Sequence, residues 1–169
     1  MGEQQFCTFF LNGFYFGIDV QHVLEVVRLQ TMTRVPLAPV DVCGLINLRG
    51  QIITVIDLQR RLEMSEAVTL THQLVNEPQG FNLIVRSDDE VVGLLVDNVG
   101  DVLEFKENTF QPPPATLKGR MRQMLTGAYS LPEGFLLILD TEKILDVTPE
   151  PPRGGITNII RRKNDTPTQ

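Results

Sequence analysis

Arg49 and Gly50 interrupt an otherwise apolar stretch, GLINLRGQIITVIDLQRRL over residues 44–62. A guanidinium in such a place either takes part in a reaction or offers its five fixed donors to a carboxylate. A reaction would need a base, a nucleophile or metal ligands alongside it. His22 and His72 have no convincing Asp–Ser or Cys partner nearby in sequence, and the chain holds no H-E-x-x-H, Walker loop, G-x-S-x-G or G-x-G-x-x-G. Cys7 and Cys43 stand far apart without a neighbouring Cys or His, and read as two buried, reduced thiols rather than a metal or redox pair. Asp57, Asp97 and Asp140 each follow an apolar run, where a helix cap or turn acceptor is expected. Asp88, Asp89 and Glu90 read as a solvated hairpin tip. The alternative is a glycosidase-type carboxylate pair, which is defined by a spatial separation that sequence spacing does not reveal. The expectation is therefore no catalytic residue, no metal and no cofactor.

Charge narrows the partners. Fifteen Lys and Arg against 21 Asp and Glu give a net charge of -6, which argues against nucleic acid and anionic membranes, both of which need concentrated positive charge. The first twenty residues hold Glu3 and Asp19 but no Lys or Arg, so the positive leader of a signal peptide is missing. Phe6 occupies the position where myristoylation requires Ser or Thr, and no apolar run has the length of a membrane helix. A cytoplasmic protein without membrane insertion is expected.

The elements that must position Arg49 are mainly strands. Phe6 to Leu11, Phe14 to Ile18, Leu45 to Leu48, Ile52 to Ile56, Leu83 to Val85, Val91 to Val96 and Phe135 to Leu139 are short runs rich in Val, Ile and Phe, set apart by Gly, Asn, Asp or Pro. Asn12-Gly13 and Asp88-Asp89-Glu90 read as hairpin turns, and Gly50 can supply the positive φ of a tight turn after Arg49. Asp19 is expected to cap a first helix through Val23, Leu24 and Val26 or Val27. Asp140-Thr141 is expected to start a last one carrying Ile144, Leu145 and Val147. Residues 63–80 read as a linker, and 108–117, with Pro112-Pro113-Pro114, as irregular chain.

Comparing the chain with itself adds architecture. Gly17, Val23, Glu25 and Val26 match Gly93, Val99, Asp101 and Val102 at identical internal spacing. Gly44 and Asp57 stand as far apart as Gly127 and Asp140, and VIDLQRRL at 55–62 parallels ILDTEKIL at 138–145. Two similar β-barrel halves follow, at about 14–62 and 81–145, with terminal elements open to exchange.

The pieces FGIDVQHVLEVV, GLINLRGQIITVIDLQRRL, VVGLLVDNVGDVL and LTGAYSLPEGFLLILDTEKIL resemble, in this order, the successive blocks of the CheW family of chemotaxis coupling proteins. The resemblance runs over residues 5–147. It is most specific in N-L-R-G followed by V-I-D-L, spaced as in the family from V-x-E-V and V-V-G-x-x-V-D. It implies two SH3-like five-stranded β-barrel subdomains with short helices and a hydrophobic groove between them. It also implies a non-enzymatic adaptor that binds the regulatory domain of the chemotaxis histidine kinase CheA and the cytoplasmic tip of chemoreceptors, recruited to membrane receptor arrays. The same adaptor serving a pilus-motility or other chemosensory array is the alternative. Thr54 departs from the family, many members having Pro there, and residues 148–169 extend past the last helix as a flexible tail.

Partner contact is expected at Val23, Glu25, Val26, Gly44, Asn47, Arg49, Gly50 and Val99. Arg49 has two readings: a docking group for an acidic partner, or a group paired with Glu25 that fixes the hairpin. Val23, Val26 and Val99 are either core or groove lining. In the tail, Ile156, Ile159 and Ile160 beside Arg161, Arg162 and Lys163 offer a helical docking face as the alternative to free chain.

Overall fold

The computed structural model describes residues 3–64, 80–88 and 90–146. β-branched and aromatic side chains fit a pleated, half-buried surface, and the runs rich in them become strands. In chain order these are β1 Glu3–Leu11, β2 Phe14–Asp19, β3 Val23–Arg28, β4 Val42–Leu48, β5 Gln51–Asp57, β6 Phe81–Ser87, β7 Glu90–Val96, β8 Asn98–Lys106, β9 Leu125–Leu131 and β10 Gly134–Leu139. Among the described residues three short helices accompany them, α1 Leu58–Arg61, α2 Gly119–Gln123 and α3 Thr141–Leu145, with 3₁₀ turns at Val20–His22 and Glu107–Thr109. The chain is mainly β, and its strands form two five-stranded sheets ordered β8-β1-β2-β10-β9 and β3-β6-β7-β5-β4.

The internal repeat is a repeat of strand register. Gly17 on β2 lies opposite Ile138 on parallel β10, and Gly93 on β7 lies opposite Val55 on parallel β5. In the antiparallel ladders Val23 faces Val85 and Val26 faces Leu83, while Val99 faces Phe9 and Val102 faces Cys7, with a bulge between the two pairs each time. Neither 14–62 nor 81–145 makes a sheet by itself. Hairpin β1–β2 is completed by β8, β9 and β10, and hairpin β6–β7 by β3, β4 and β5. The exchange therefore reaches well inside both segments, because each hairpin finds its ladder partners in the other half of the chain.

Strand alternation divides the core in three. On β10, Leu136 and Ile138 point into the first subdomain with Phe6 and Tyr129, while Leu137 and Leu139 join the core shared by both sheets. On β5, Ile53 and Val55 fill the second subdomain with Ile46 and Ile84, and Ile56 turns to the shared core. Each fully buried Leu, Ile or Phe contributes about 1.5–3 kcal/mol, so the shared core welds the subdomains.

Each sheet also closes on itself. The chain after β3 returns to β4, where Thr33 and Leu45 exchange N–H···O bonds of 2.9 and 2.8 Å; after β8, Gln111 and Ala128 do the same at 2.9 Å each way. Gly44 and Gly127 sit beneath these seams. A Cβ on Gly44 would lie 2.7 Å from the Thr33 carbonyl oxygen, and one on Gly127 would lie 2.5 Å from that of Gln111.

Several expectations change. The helix expected after Asp19 is only the turn Val20–His22, in which Asp19 accepts the Gln21 amide at 2.9 Å; Val23–Arg28 is a strand. Val23, Val26 and Val27 suit either period, and antiparallel pairing with β6 decides for the strand. β8 and β9, not anticipated, mix Asp, Glu, Thr, Ser and Gly with their apolar residues because one face of each is wet. Asp57 and Asp140 cap α1 and α3 by accepting the amides of Arg60 and Lys143 at 3.3 Å each, as expected. Asp97 accepts the Asn12 amide at 2.8 Å, a turn acceptor. Most of the expected linker, together with Asp89, Val147 and the tail, lies outside the described residues.

Candidate functional site

The β4–β5 hairpin presents Arg49. Leu48 pairs with Gln51, leaving Arg49 and Gly50 as a two-residue turn at φ +51° and +87°. Positive φ at both central residues marks the type I′ turn that matches strand twist. Arg49 thus shares the left-handed conformation expected of Gly50 alone. Asn47 Oδ1 accepts the Gly50 amide at 2.8 Å and holds the tip in shape.

Arg49 Nη2 donates to Glu25 Oε2 on β3. The arginine side chain is 70% exposed and the glutamate 30%. An ion pair this wet contributes about 0–1 kcal/mol, so its main effect is to aim the guanidinium. Glu25, Asn47, Arg49 and Gly50 are therefore brought together by the hairpin and the seam, and Gly44 lies along β4 under Thr33.

The valines divide differently. Val23 and Val99, equivalent in the repeat, both pack on the shared core. Val27 packs into the second subdomain, so by alternation Val26 points out of it and stays 42% exposed. As strand residues with a bulge between them, Val23 and Val26 do not form the helical i, i+3 pair expected. Val99 belongs to the other sheet, apart from the Arg49 cluster. Among the exposed apolar residues that escaped the sequence reading, three bear on this site or on its repeat. Val102 is the repeat partner of Val26, Ile52 lies opposite Asn47 on the hairpin, and Leu24 precedes Glu25. The repeat itself could have flagged Val102; nothing in the apolar run marks Ile52 as exposed.

The thiols are unsuited to nucleophilic catalysis, and the half-buried Asp57 carboxyl is engaged as a helix cap. Burial, aided by the nearby Asp57 carboxylate, pushes the Cys43 thiol up to about 12, and burial followed by Asp19 raises Cys7. Thiols so shifted are protonated near neutral pH and poor nucleophiles. Burial also raises Asp57, whose oxygen serves as the α1 cap. Among the described residues no group of three His, Cys, Asp or Glu side chains is placed to hold a metal, and no helix is long and apolar enough to cross a membrane.

With this geometry in place, the family comparison is decisive: the CheW-like domain matches residues 5–148. The chain belongs to the CheW family. It is 31% identical over 140 residues to the chemotaxis protein CheW of Treponema pallidum, covering 83% of this chain and 81% of that protein. With the chemotaxis protein CheW of Klebsiella aerogenes it shares 33% identity over 143 residues, covering 84% and 81%. The crystal structure of the scaffolding protein TtCheW from Thermoanaerobacter tengcongensis superposes with a TM-score of 0.72 at 28% identity, covering 88% of this chain and 90% of that one. This CheW-family chain is an adaptor of chemotaxis signalling and not an enzyme, and its two five-stranded subdomains are those of the family.

Proposed function

We propose that this CheW-family chain couples the cytoplasmic tips of chemoreceptors to the regulatory domain of the histidine kinase CheA, working in the cytoplasm at membrane receptor arrays. The observation that carries the reading is the Arg49 tip: a guanidinium 70% exposed, aimed by Glu25 and flanked across the hairpin by exposed Ile52. Interfaces take their energy from a few such groups, Arg prominent among them, set beside apolar contacts. Glu25, Val26, Asn47 and Gly50 supply the rest of this contact. Gly44 keeps the Thr33 seam behind it closed, and Val23 with Val99, the latter on the other sheet and apart from this tip, pack on the shared core and offer a partner the floor between the subdomains. The test is co-sedimentation of the kinase with receptor-bearing membranes. The kinase is expected in the pellet only when this chain is present, and kinase that pellets equally without it would sink the proposal. Running the kinases of each chemosensory array in parallel identifies an adaptor for a different array by the kinase it brings down.

A further inference from the structure

β3 carries one residue more than its ladder uses. Val23 faces Val85 and Glu25 faces Ile84, so two steps on β3 are set against one on β6, and Leu24 is the extra residue of a β-bulge. Bulges re-aim side chains and are frequent beside functional sites. Residues directly opposite each other in an antiparallel pair lie on the same face of the sheet. Val23 and Val85 pack on the shared core, whereas Ile84 points into the second subdomain. Without the extra residue Glu25 would fall opposite Leu83, which belongs to the shared core. The bulge therefore keeps Val23 in the core and at the same time turns Glu25 to the side on which it accepts from Arg49 Nη2.

The repeat separates frame from function. β8 has the same bulge, three steps from Val99 to Val102 set against two on β1 from Phe9 to Cys7. There the residue matching Leu24 is Gly100, and a Cβ on it would lie 2.6 Å from Oγ1 of the buried Thr8 and 3.2 Å from the Tyr15 hydroxyl. The corresponding hairpin tip, Pro132-Glu133 between the paired Leu131 and Gly134, carries no cation. The frame thus keeps the bulge without a side chain on it. In the second subdomain the bulge carries Leu24, 52% exposed, beside the carboxylate that aims Arg49 and on the same strand as half-exposed Val26. A large apolar side chain held in water at one bulge, with none at its twin, points to recognition rather than packing.

Building on the adaptor role proposed above, we infer that Leu24 selects partners at the Arg49 tip. The surface it fits sets an aliphatic side chain against Leu24 and a carboxylate against the exposed guanidinium, and the bulge fixes the spacing of the two contacts.

Co-sedimentation of the kinase with receptor-bearing membranes, titrated with the full chain, tests this. Leu24→Ala should raise the concentration of chain that pellets half of the kinase by about tenfold, with a melting temperature close to wild type, and Leu24→Met should recover most of that loss. Leu24→Ala combined with Arg49→Ala should lose less than the two single losses multiplied, because both groups meet one surface. Wild-type titration by Leu24→Ala, or a loss that Leu24→Met shares in full, would overturn the selecting role. The aiming is read without a partner, from the Arg49 Nε–H signal in ¹⁵N NMR. Deletion of Leu24 should move that signal toward its position in Glu25→Gln, and Leu24→Ala should leave it in place. An unmoved signal in the deletion variant would overturn the aiming; should that variant not fold, Leu24→Ala and Leu24→Met decide. Kinase that fails to pellet with the wild-type chain speaks against the adaptor role, and the Arg49 signal still decides what the bulge does.

Discussion

Arg49 and Glu25 join opposite edges of one sheet. Glu25 lies on β3 and Arg49 follows β4, the two ends of the order β3-β6-β7-β5-β4, yet the guanidinium donates to the carboxylate across the seam that Thr33 and Leu45 close. The exposed guanidinium proposed as the docking group is thus supported by the same closure that makes the subdomain.

Arg49→Ala is expected to leave thermal stability within about 1 kcal/mol of wild type, because the pair is exposed. It should weaken kinase or receptor binding by about 1–3 kcal/mol, as loss of a charge-assisted contact at an interface does. Charge reversal separates docking from scaffolding. Glu25→Arg combined with Arg49→Glu should restore the pair and the melting temperature but not binding, since the partner then meets the wrong sign. Full binding by the swapped protein, measured by pull-down, would remove the contact role.

Arg61 is the opposite case. Its guanidinium is buried, ion-paired with Asp41 at 3.4 Å, and donates to the carbonyls of Lys143, at 3.0 Å, and of Asp146, so that α1 is tied to the end of α3. Arg61→Ala strands those acceptors and should cost about 3 kcal/mol in urea unfolding. Arg60→Ala, whose pair with Asp57 is wetter, should cost under about 1 kcal/mol. Equal losses at the two positions would refute the latch.

Asn82 is fully buried inside the second subdomain, and neither its amide nitrogen nor its oxygen has a hydrogen-bond partner among the described residues. An unsatisfied buried amide costs about 1–3 kcal/mol. Asn82→Val, apolar and suited to a strand, is therefore expected to raise the urea midpoint. A lowered midpoint would show that a buried water satisfies the amide.

Cys43 predicts the alkaline behaviour. Its folded pKa is raised from 9.0 to about 12. The native chain therefore binds more protons than the unfolded chain within that window, and the contribution of Cys43 to stability, intact below pH 9, is lost as pH rises toward 12. Cys43→Ala should lose less stability than wild type between about pH 8 and about pH 10.5. Parallel losses in the two proteins, read from urea midpoints, would contradict the shift.

Features legible in the sequence depend on a few adjacent residues. Asn12-Gly13 makes a turn because its backbone tolerates positive φ, and Asp57 and Asp140 cap because a carboxylate reaches an amide two or three residues on. The place of Arg49 in a tight turn was legible for a similar reason, as a charge before a glycine between apolar runs. β3 was not, since Val23, Val26 and Val27 satisfy two periods at once and only β6 chooses between them. The exposure of Ile52 was hidden in an apolar run for want of a local signal.

By itself the sequence determined the β class, the turns and caps, the doubled plan and the family, all carried by residue types at short or repeated spacing. Only the tertiary structure decided that each hairpin completes a sheet with strands from the other half of the chain. It decided that Arg49 does pair with Glu25, one of the two readings the sequence left open, showed that the pair spans a seam, and put Val99 away from them. The physical reason is that ladder hydrogen bonds are alike from strand to strand. The choice among partners comes from burying Leu137, Leu139, Ile56 and Leu94 in one shared core, a condition on the whole chain that no local stretch encodes.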